Sequence, residues 1–330
     1  MALPKVSLLS LGGTIAMGLR ADGAGVAPAL SADDLVAAVP QLDGIADVSP
    51  RTLVSIPGAN LTPHDLFSIA DEIVAEIDDG AVGVLVVQGT DTMEETSFLL
   101  DLLIDADAPV VVTGAMRNPS LPGADGPANL VAATRVAVSD AARGLGVMVV
   151  LNDEIHAAAF VQKRHTSSPS AFASSGFGPL GHVVEGRVRL AFRPSSRSAV
   201  ELGRRDFRPV ALVGSVLGDD GRLLSRVKEL GYEGVVIEAF GGGHVSVPVA
   251  AILEDLAGSM PVVLCSRTRS GDVLAETYAF EGSETDLLRR GLIRGGWLTG
   301  FKARLLLGLL LGDSDGPSTT AERFGAWLER

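Results

Sequence analysis

Three loops of this chain carry polar side chains suited to chemistry, and in two of them glycines let a ligand reach the backbone. Gly12-Gly13-Thr14-Ile15-Ala16 follows directly on an apolar run from Val6 to Leu11. Gln88-Gly89-Thr90-Asp91-Thr92 follows a second run that ends at Val87. The third loop, Phe160-Val161-Gln162-Lys163-Arg164-His165-Thr166, carries a lysine. Glycine permits close backbone approach, and in the first two loops a hydroxyl comes immediately after it. A threonine hydroxyl is a poor nucleophile until a base takes its proton. Lysine serves as that base where a crowded or desolvated site favours the neutral amine. A carboxylate such as Asp91 orients a lysine or binds a substrate ammonium. Taken singly, Thr14 and Thr90 read as turn or cap residues and Lys163 as a solvated surface lysine. Two threonines, each after a glycine at the end of an apolar run, weigh against that plain reading without replacing it. Thr92 is the more natural cap of the following helix, which leaves Thr90 and Asp91 for another task.

Other chemistries find no matching pattern. The text Gly12-Gly13-Thr14-Ile15-Ala16-Met17-Gly18 departs from the G-x-G-x-x-G of a dinucleotide loop, and no Walker loop is present. The histidines, His64, His156, His165, His182 and His244, lack zinc-ligand spacing, so no metal site is expected. Gly241-Gly242-Gly243-His244 reads equally well as a flexible loop or as a backbone approach to a ligand or neighbouring subunit. The single cysteine, Cys265, rules out a disulfide within the chain and fits a reducing compartment. A formal net charge of −13 repels a phosphate backbone, so no nucleic-acid partner is expected. The N-terminal residues lack the basic segment, apolar run and small-residue cleavage site of a secretion signal. The Leu305–Leu311 run is too short to span a membrane. These readings predict a cytoplasmic protein without membrane contact.

The scaffold that holds these loops follows from the hydrophobic pattern. Hydrophobic residues make up 47% of the 330 residues, an ordinary core-forming share. Short apolar runs at Val6–Leu11, Val82–Val87, Val110–Thr113 and Gly146–Leu151 alternate with helical stretches. Ser31 caps a predicted helix through Val39, and Thr62-Pro63 opens one that runs to about Asp79. Thr92 and Glu95 form a capping-box pattern at the head of a helix ending near Ile104. Repeated strand–loop–helix units predict a parallel sheet covered on both faces, with ligands bound at the carboxyl ends of its strands. A stretch rich in Ser, Arg and Pro then precedes further strands at Val210–Val216, Gly234–Phe240 and Pro261–Cys265. The expected organisation is two α/β domains: a larger N-terminal parallel-sheet domain over 1–190, a linker over 191–209 and a smaller C-terminal domain over 210–330.

The motifs LGGTIA at 11–16, VVQGTDTMEETSFLL at 86–100, VTGAMRNPSLPGADGPANL at 112–130 and KRHT…FGPLG at 163–181 together resemble the bacterial-type L-asparaginase and glutaminase-asparaginase family. The resemblance runs over nearly the whole chain. It implies two α/β domains, the second flavodoxin-like, and a homotetramer built from close dimers, or a homodimer. It implies an active site between one subunit's N-terminal domain and its neighbour's C-terminal domain, with no cofactor. Thr14 falls on the family's nucleophile; Thr90, Asp91 and Lys163 fall on its second threonine, aspartate and lysine. The implied reaction hydrolyses a side-chain amide, with L-asparagine as the expected small-molecule substrate. Gly13, Gly58, Ala59, Gly89, Thr90, Asp91 and Ala115 are then the expected substrate-binding residues. Backbone amides near Thr90, with Ala115, would stabilise the oxyanion.

Departures from the family pattern bear on specificity. Residues 17–30, the expected lid beside Thr14, contain no tyrosine, where many members carry one; the tyrosines are Tyr232 and Tyr278. Gly58-Ala59 stands where Ser-Gln is common, so a hydroxyl contact to the substrate carboxylate is missing, a loss of about 1–3 kcal/mol. Ala159 replaces an expected arginine. Glu276 and Asp272 both fit the acid supplied by a neighbouring subunit. The alternatives are a glutaminase or other small-amide hydrolase, including the glutamine-deamidating subunit of a tRNA-dependent amidotransferase, and a non-catalytic amino-acid-binding homologue. Against the amidotransferase stand the early position of Thr14, which leaves no room for that subunit's N-terminal extension, and the acidic charge. Against the binding homologue stand the retained Thr14, Thr90, Asp91 and Lys163.

Overall fold

The structure is a computed structural model, described here for residues 2–19, 26–28, 30–314 and 316–330. Much of the expected lid, at 20–25 and 29, lies outside the described residues. The chain divides into two compact units, Met1–Val200 and Glu201–Arg330.

Unit 1 is built on strands β1 (Lys5–Ser10), β2 (Met17–Leu19), β3 (Val26–Pro28), β4 (Asp47–Thr52), β5 (Gly83–Val87), β6 (Val110–Thr113), β7 (Val147–Leu151), β8 (Glu154–Ala157), β9 (Val161–Lys163), β10 (Phe172–Ser174), β11 (Gly181–Val184) and β12 (Arg187–Leu190). Its helices are α1 (Ala32–Ala37), α2 (Pro63–Asp78), α3 (Met93–Leu103) and α4 (Gly126–Ala137). Eight strands form one sheet in the order β12-β11-β8-β7-β6-β5-β1-β4. The run from β4 through β7 is parallel, while the pairings β7–β8, β8–β11 and β11–β12 are antiparallel. The apolar pattern did not foretell that antiparallel margin, because β11 and β12 alternate exposed and half-buried residues.

The valine-rich central strands are buried on both faces, as a parallel sheet covered on two sides requires. Val6, Leu8, Leu85, Val87, Val111, Met148 and Val150 share one core with Leu35 of α1 and Leu130, Ala133 and Val136 of α4. The alternate residues, such as Leu9, Val84, Val86, Val112 and Val149, are equally buried, and α2 and α3 pack against β5, β6 and β7. Helix α2 begins with a complete capping box between Thr62 and Asp65, and Ser31 caps α1 in the same way with Asp34. The capping box expected between Thr92 and Glu95 is absent. Thr92 takes φ −108° and ψ 11°, outside the extended conformation a capping side chain needs, and its hydroxyl donates to Gly58 O at 3.2 Å instead.

Strands β4 and β5 flank β1 on opposite sides, so successive connections leave β1 in opposite directions. The sheet therefore has a topological switch point between β1 and β5. Loops at the carboxyl ends of such a pair diverge and leave a crevice. Thr14 follows β1 and Thr90 follows β5.

Unit 2 carries β13 (Val210–Gly214), β14 (Gly234–Ala239), β15 (Val262–Ser266) and β16 (Ile293–Arg294), all parallel in that order. Its helices are α5 (Val247–Ala257), α6 (Glu284–Arg289), α7 (Gly300–Asp313) and α8 (Pro317–Leu328). Val249, Leu253 and Leu256 of α5 share a core with Val235, Ile237, Val262 and Leu264. The Leu305–Leu311 run lies in α7, which packs on β13, β14 and β15. No helix among the described residues is long and apolar enough to cross a membrane.

The Ser/Arg/Pro-rich stretch is tied down rather than loose. Arg193 donates to Ala141 O at 2.8 Å, Arg197 to Ala106 O at 2.7 Å, and the Val200 N–H to Leu102 O at 2.9 Å. Beyond the division, Arg204 donates to Gly312 O at 2.7 Å and the Arg208 N–H to Gly308 O at 3.0 Å.

Candidate active site

Three glycines bring the strand-end loops together. Gly13 has φ +93°, and a Cβ there would lie 2.0 Å from Gly89 N. Only a hydrogen fits, so the turn carrying Thr14 lies directly on the loop carrying Thr90. A Cβ on Gly89 would stand 3.4 Å from Gly13 Cα and 3.5 Å from Gly58 N. The loop after β4 thus meets the other two at Gly58, where the Thr92 hydroxyl grips its carbonyl. Gly13, Gly58 and Gly89 converge at the switch point, with Thr14 half-buried and Thr90 5% exposed. Ala59, beside Gly58, is exposed.

Lys163 reaches this cluster from the end of β9, in the β9–β10 hairpin, where it pairs with Phe172. Its Nζ donates to Thr90 Oγ1 at 3.0 Å and to Asp91 Oδ1 at 2.7 Å. The lysine side chain is 17% exposed and the Asp91 side chain 77%, so the ion pair opens from a shielded amine onto an accessible carboxylate. The Lys163 hydrogen bonds engage Thr90 and Asp91 rather than Thr14. The backbone N–H groups of Thr90, Asp91 and Ala115 donate to no described residue. They are free donors in the loops after β5 and β6.

The turn after β6 is fixed by two residues that motif spacing did not single out. Asp125 accepts from the N–H groups of Met116 at 3.0 Å and Arg117 at 2.8 Å. Asn129 donates to Gly114 O at 2.9 Å and accepts from the Asn152 N–H at 2.9 Å. Ala115, held between them, is 1% exposed. It helps line an apolar cavity of about 120 Å³ with Ile15, Leu35, Val39 and Leu130. A third such residue is Glu94, 4% exposed in the first turn of α3, which accepts the Lys163 N–H at 3.1 Å. Their signal was present in the ADGPAN and TMEET text, but they act through backbone groups that no spacing rule identifies.

Further residues singled out from the sequence belong to unit 2. Gly241–His244 forms a closed turn, with the His244 N–H donating to Phe240 O at 2.9 Å. The His244 ring stands 3.1 Å from Glu284 and packs edge-on against Tyr278 and Phe280. Tyr278 and Phe280 are exposed, as is Glu276. Cys265 is buried, and burial pushes its thiol far above the usual range, where it is inert. No group of three or more potential metal ligands occurs among the described residues.

Comparison with known proteins bears on the family and the fold. The family profile described as "Asparaginase, N-terminal" matches residues 5–196, and that described as "Glutaminase/Asparaginase C-terminal domain" matches 209–324. An L-asparaginase of Bacillus licheniformis is 34% identical, covering 93% of this chain and 95% of its own length. A glutamyl-tRNA(Gln) amidotransferase subunit of Methanosarcina mazei is 35% identical over 89% of this chain and 70% of its own. A crystal structure of a probable cytoplasmic L-asparaginase from Campylobacter jejuni superposes with a TM-score of 0.85 at 32% identity, covering 97% of this chain and 99% of that one. Both halves of the chain thus place it in the asparaginase family of amidohydrolases.

Proposed function

We propose that the protein hydrolyses the side-chain amide of L-asparagine to L-aspartate and ammonia through an acyl-enzyme on Thr14. The observation that carries this reading is the Lys163–Thr90–Asp91 hydrogen-bonded set, lying on the loop against which Gly13 and Thr14 are packed. The Thr14 hydroxyl attacks the amide carbon, and the carbonyl oxygen takes up the negative charge. Free N–H groups at Thr90 and Ala115 supply the donors an oxyanion needs. The C–N bond then breaks, and ammonia leaves with the proton that Thr14 gave up. Water attacks the ester, returning the hydroxyl and releasing aspartate. Lys163 donates to the Asp91 carboxylate and the Thr90 hydroxyl, so that Thr90 is held to orient that water in deacylation. The exposed Asp91 carboxylate also suits the substrate's α-ammonium.

Substrate binding belongs to the same reading. Gly13, Gly58, Ala59, Gly89 and Ala115 frame the substrate with backbone rather than side chains. Gly58 offers no hydroxyl to the α-carboxylate, which favours a weaker or altered preference among small amides. Assembly as a homotetramer or homodimer belongs to the same reading and rests on the family resemblance. A cytoplasmic location is supported by the resemblance to the Campylobacter jejuni protein.

Ammonia release from L-asparagine, L-glutamine, D-asparagine and small amides tests the reading, beside Thr14→Ala. Turnover of L-asparagine is expected, with a loss of about 10³-fold or more in the variant. Turnover that survives Thr14→Ala removes the nucleophile assignment. A folded wild type inert toward every amide removes the enzymatic reading.

A further inference from the structure

Gln88 is the last residue before the threonine loop, and the reaction described above makes no use of it. Its backbone continues the sheet: the N–H donates to Thr113 O at 3.0 Å, and the Gln88 carbonyl lies where a Cβ on Gly114 would come within 2.4 Å. The residue is 1% exposed. Its carboxamide nitrogen donates to Gly89 O at 3.1 Å, while its Oε1 has no hydrogen-bond partner among the described residues. A buried carboxamide satisfied at one end only is poor core material; an apolar side chain of similar shape would pack there without a stranded acceptor.

The hydrogen bond that is made falls on one particular peptide. Gly89 O and the Thr90 N–H are the two ends of the Gly89–Thr90 amide. Its carbonyl end is held by Gln88, and its N–H end donates to no described residue. Gly89 lacks a side chain to restrict rotation of that plane, so it needs an external tether. A hydrogen bond accepted by a carbonyl also strengthens the N–H of the same amide as a donor, because hydrogen bonds in a chain polarise one another.

We infer that Gln88 is a positioning residue: its carboxamide holds the Gly89–Thr90 peptide plane so that the Thr90 N–H faces the developing oxyanion. The inference rests on the acyl-enzyme reading proposed above. It gives the unpaired Oε1 a physical account, since the residue is kept for its donor end.

The test compares Gln88→Met, Gln88→Glu and Thr14→Ala with wild type on L-asparagine. Gln88→Met keeps length and removes both the donor and the stranded acceptor. Its melting temperature should equal or exceed that of wild type, with kcat down about tenfold and KM little changed. Gln88→Glu sets a carboxylate against Gly89 O. Its kcat should fall further at pH 8 and recover toward pH 5, where the protonated carboxyl donates again. A structural filler would produce neither the kcat-against-KM split nor that recovery. Unchanged kcat in Gln88→Met, or a Gln88→Glu profile parallel to wild type, overturns the inference. If either result accompanies an inactive Thr14→Ala, only the role of Gln88 falls. If Thr14→Ala stays active, the acyl-enzyme reading falls, and this inference falls with it.

Discussion

Lys163 is anchored at both ends by one short stretch of chain. Thr90 and Asp91 hold its amine, and Glu94, in the next turn, holds its backbone N–H. The carboxylate of Glu94 sits in the first turn of α3, where the helix dipole favours negative charge. Residues 90–94 are therefore a single dock for the lysine, and its placement does not depend on the β9–β10 hairpin alone. Glu94→Ala strands a shielded N–H, a cost of about 1–3 kcal/mol. We expect a lowered melting temperature and a kcat about tenfold below wild type. Glu94→Gln keeps an acceptor oxygen and should restore most of both. Steady-state kinetics alongside thermal melts check this; equal losses in the two variants would mean that the charge, not the hydrogen bond, matters.

Among the strands and helices, the site is made by loops brought together without side chains between them. The Gly13–Gly89 contact is the tightest joint, since any Cβ on Gly13 would overlap the Gly89 backbone and sit at φ +93°. Gly13→Ala must separate the β1 and β5 loops. We expect it to cost roughly 1–3 kcal/mol and to abolish most amide turnover, because Thr14 moves relative to Thr90 and Lys163. Gly44→Ala is the control, since a Cβ there meets nothing within 4 Å. Urea unfolding of both variants, with ammonia release, separates the two positions. A stable, active Gly13→Ala would show that the loops need not touch.

Across the full chain, each unit has its own core, and acid acts strongly on unit 2. Burial pushes the Glu284 carboxyl up. The N–H groups of Tyr278, Glu284 and Thr277, with the His244 ring, outweigh that and hold it below its usual range. The N–H of Gly282 and the guanidinium of Arg290 lower Asp286 likewise. A depressed carboxyl contributes stability above its unfolded value, about 4.3 for glutamate. That contribution is lost as pH falls through the folded value. The melting temperature should therefore be insensitive to this pair at neutral pH and drop below about pH 4. The gap between wild type and Glu284→Gln should be widest at pH 7 and close on acidification. A constant gap from pH 7 to pH 3 would contradict the assignment.

The alternation of strands and helices is legible in the sequence, because burial on both faces of a parallel sheet writes continuous valine-rich runs such as Val84–Val87. So are the caps at Ser31 and Thr62, which are local hydrogen bonds, and the loops in which polar residues follow glycine. The folded chain decides that Thr92 grips Gly58 rather than capping α3, because that choice depends on a residue 34 positions away. It decides that β7–β8, β8–β11 and β11–β12 pair antiparallel, which no one-strand pattern encodes. It decides that the Lys163 amine meets Thr90 and Asp91 across more than 70 residues, and that Glu94 and Gln88 serve the site through backbone groups. Residue type and spacing report what chemistry a loop can offer. Which hydroxyl faces which amine depends on register and on glycine-to-glycine contacts between distant strands, and those exist only once the chain has folded.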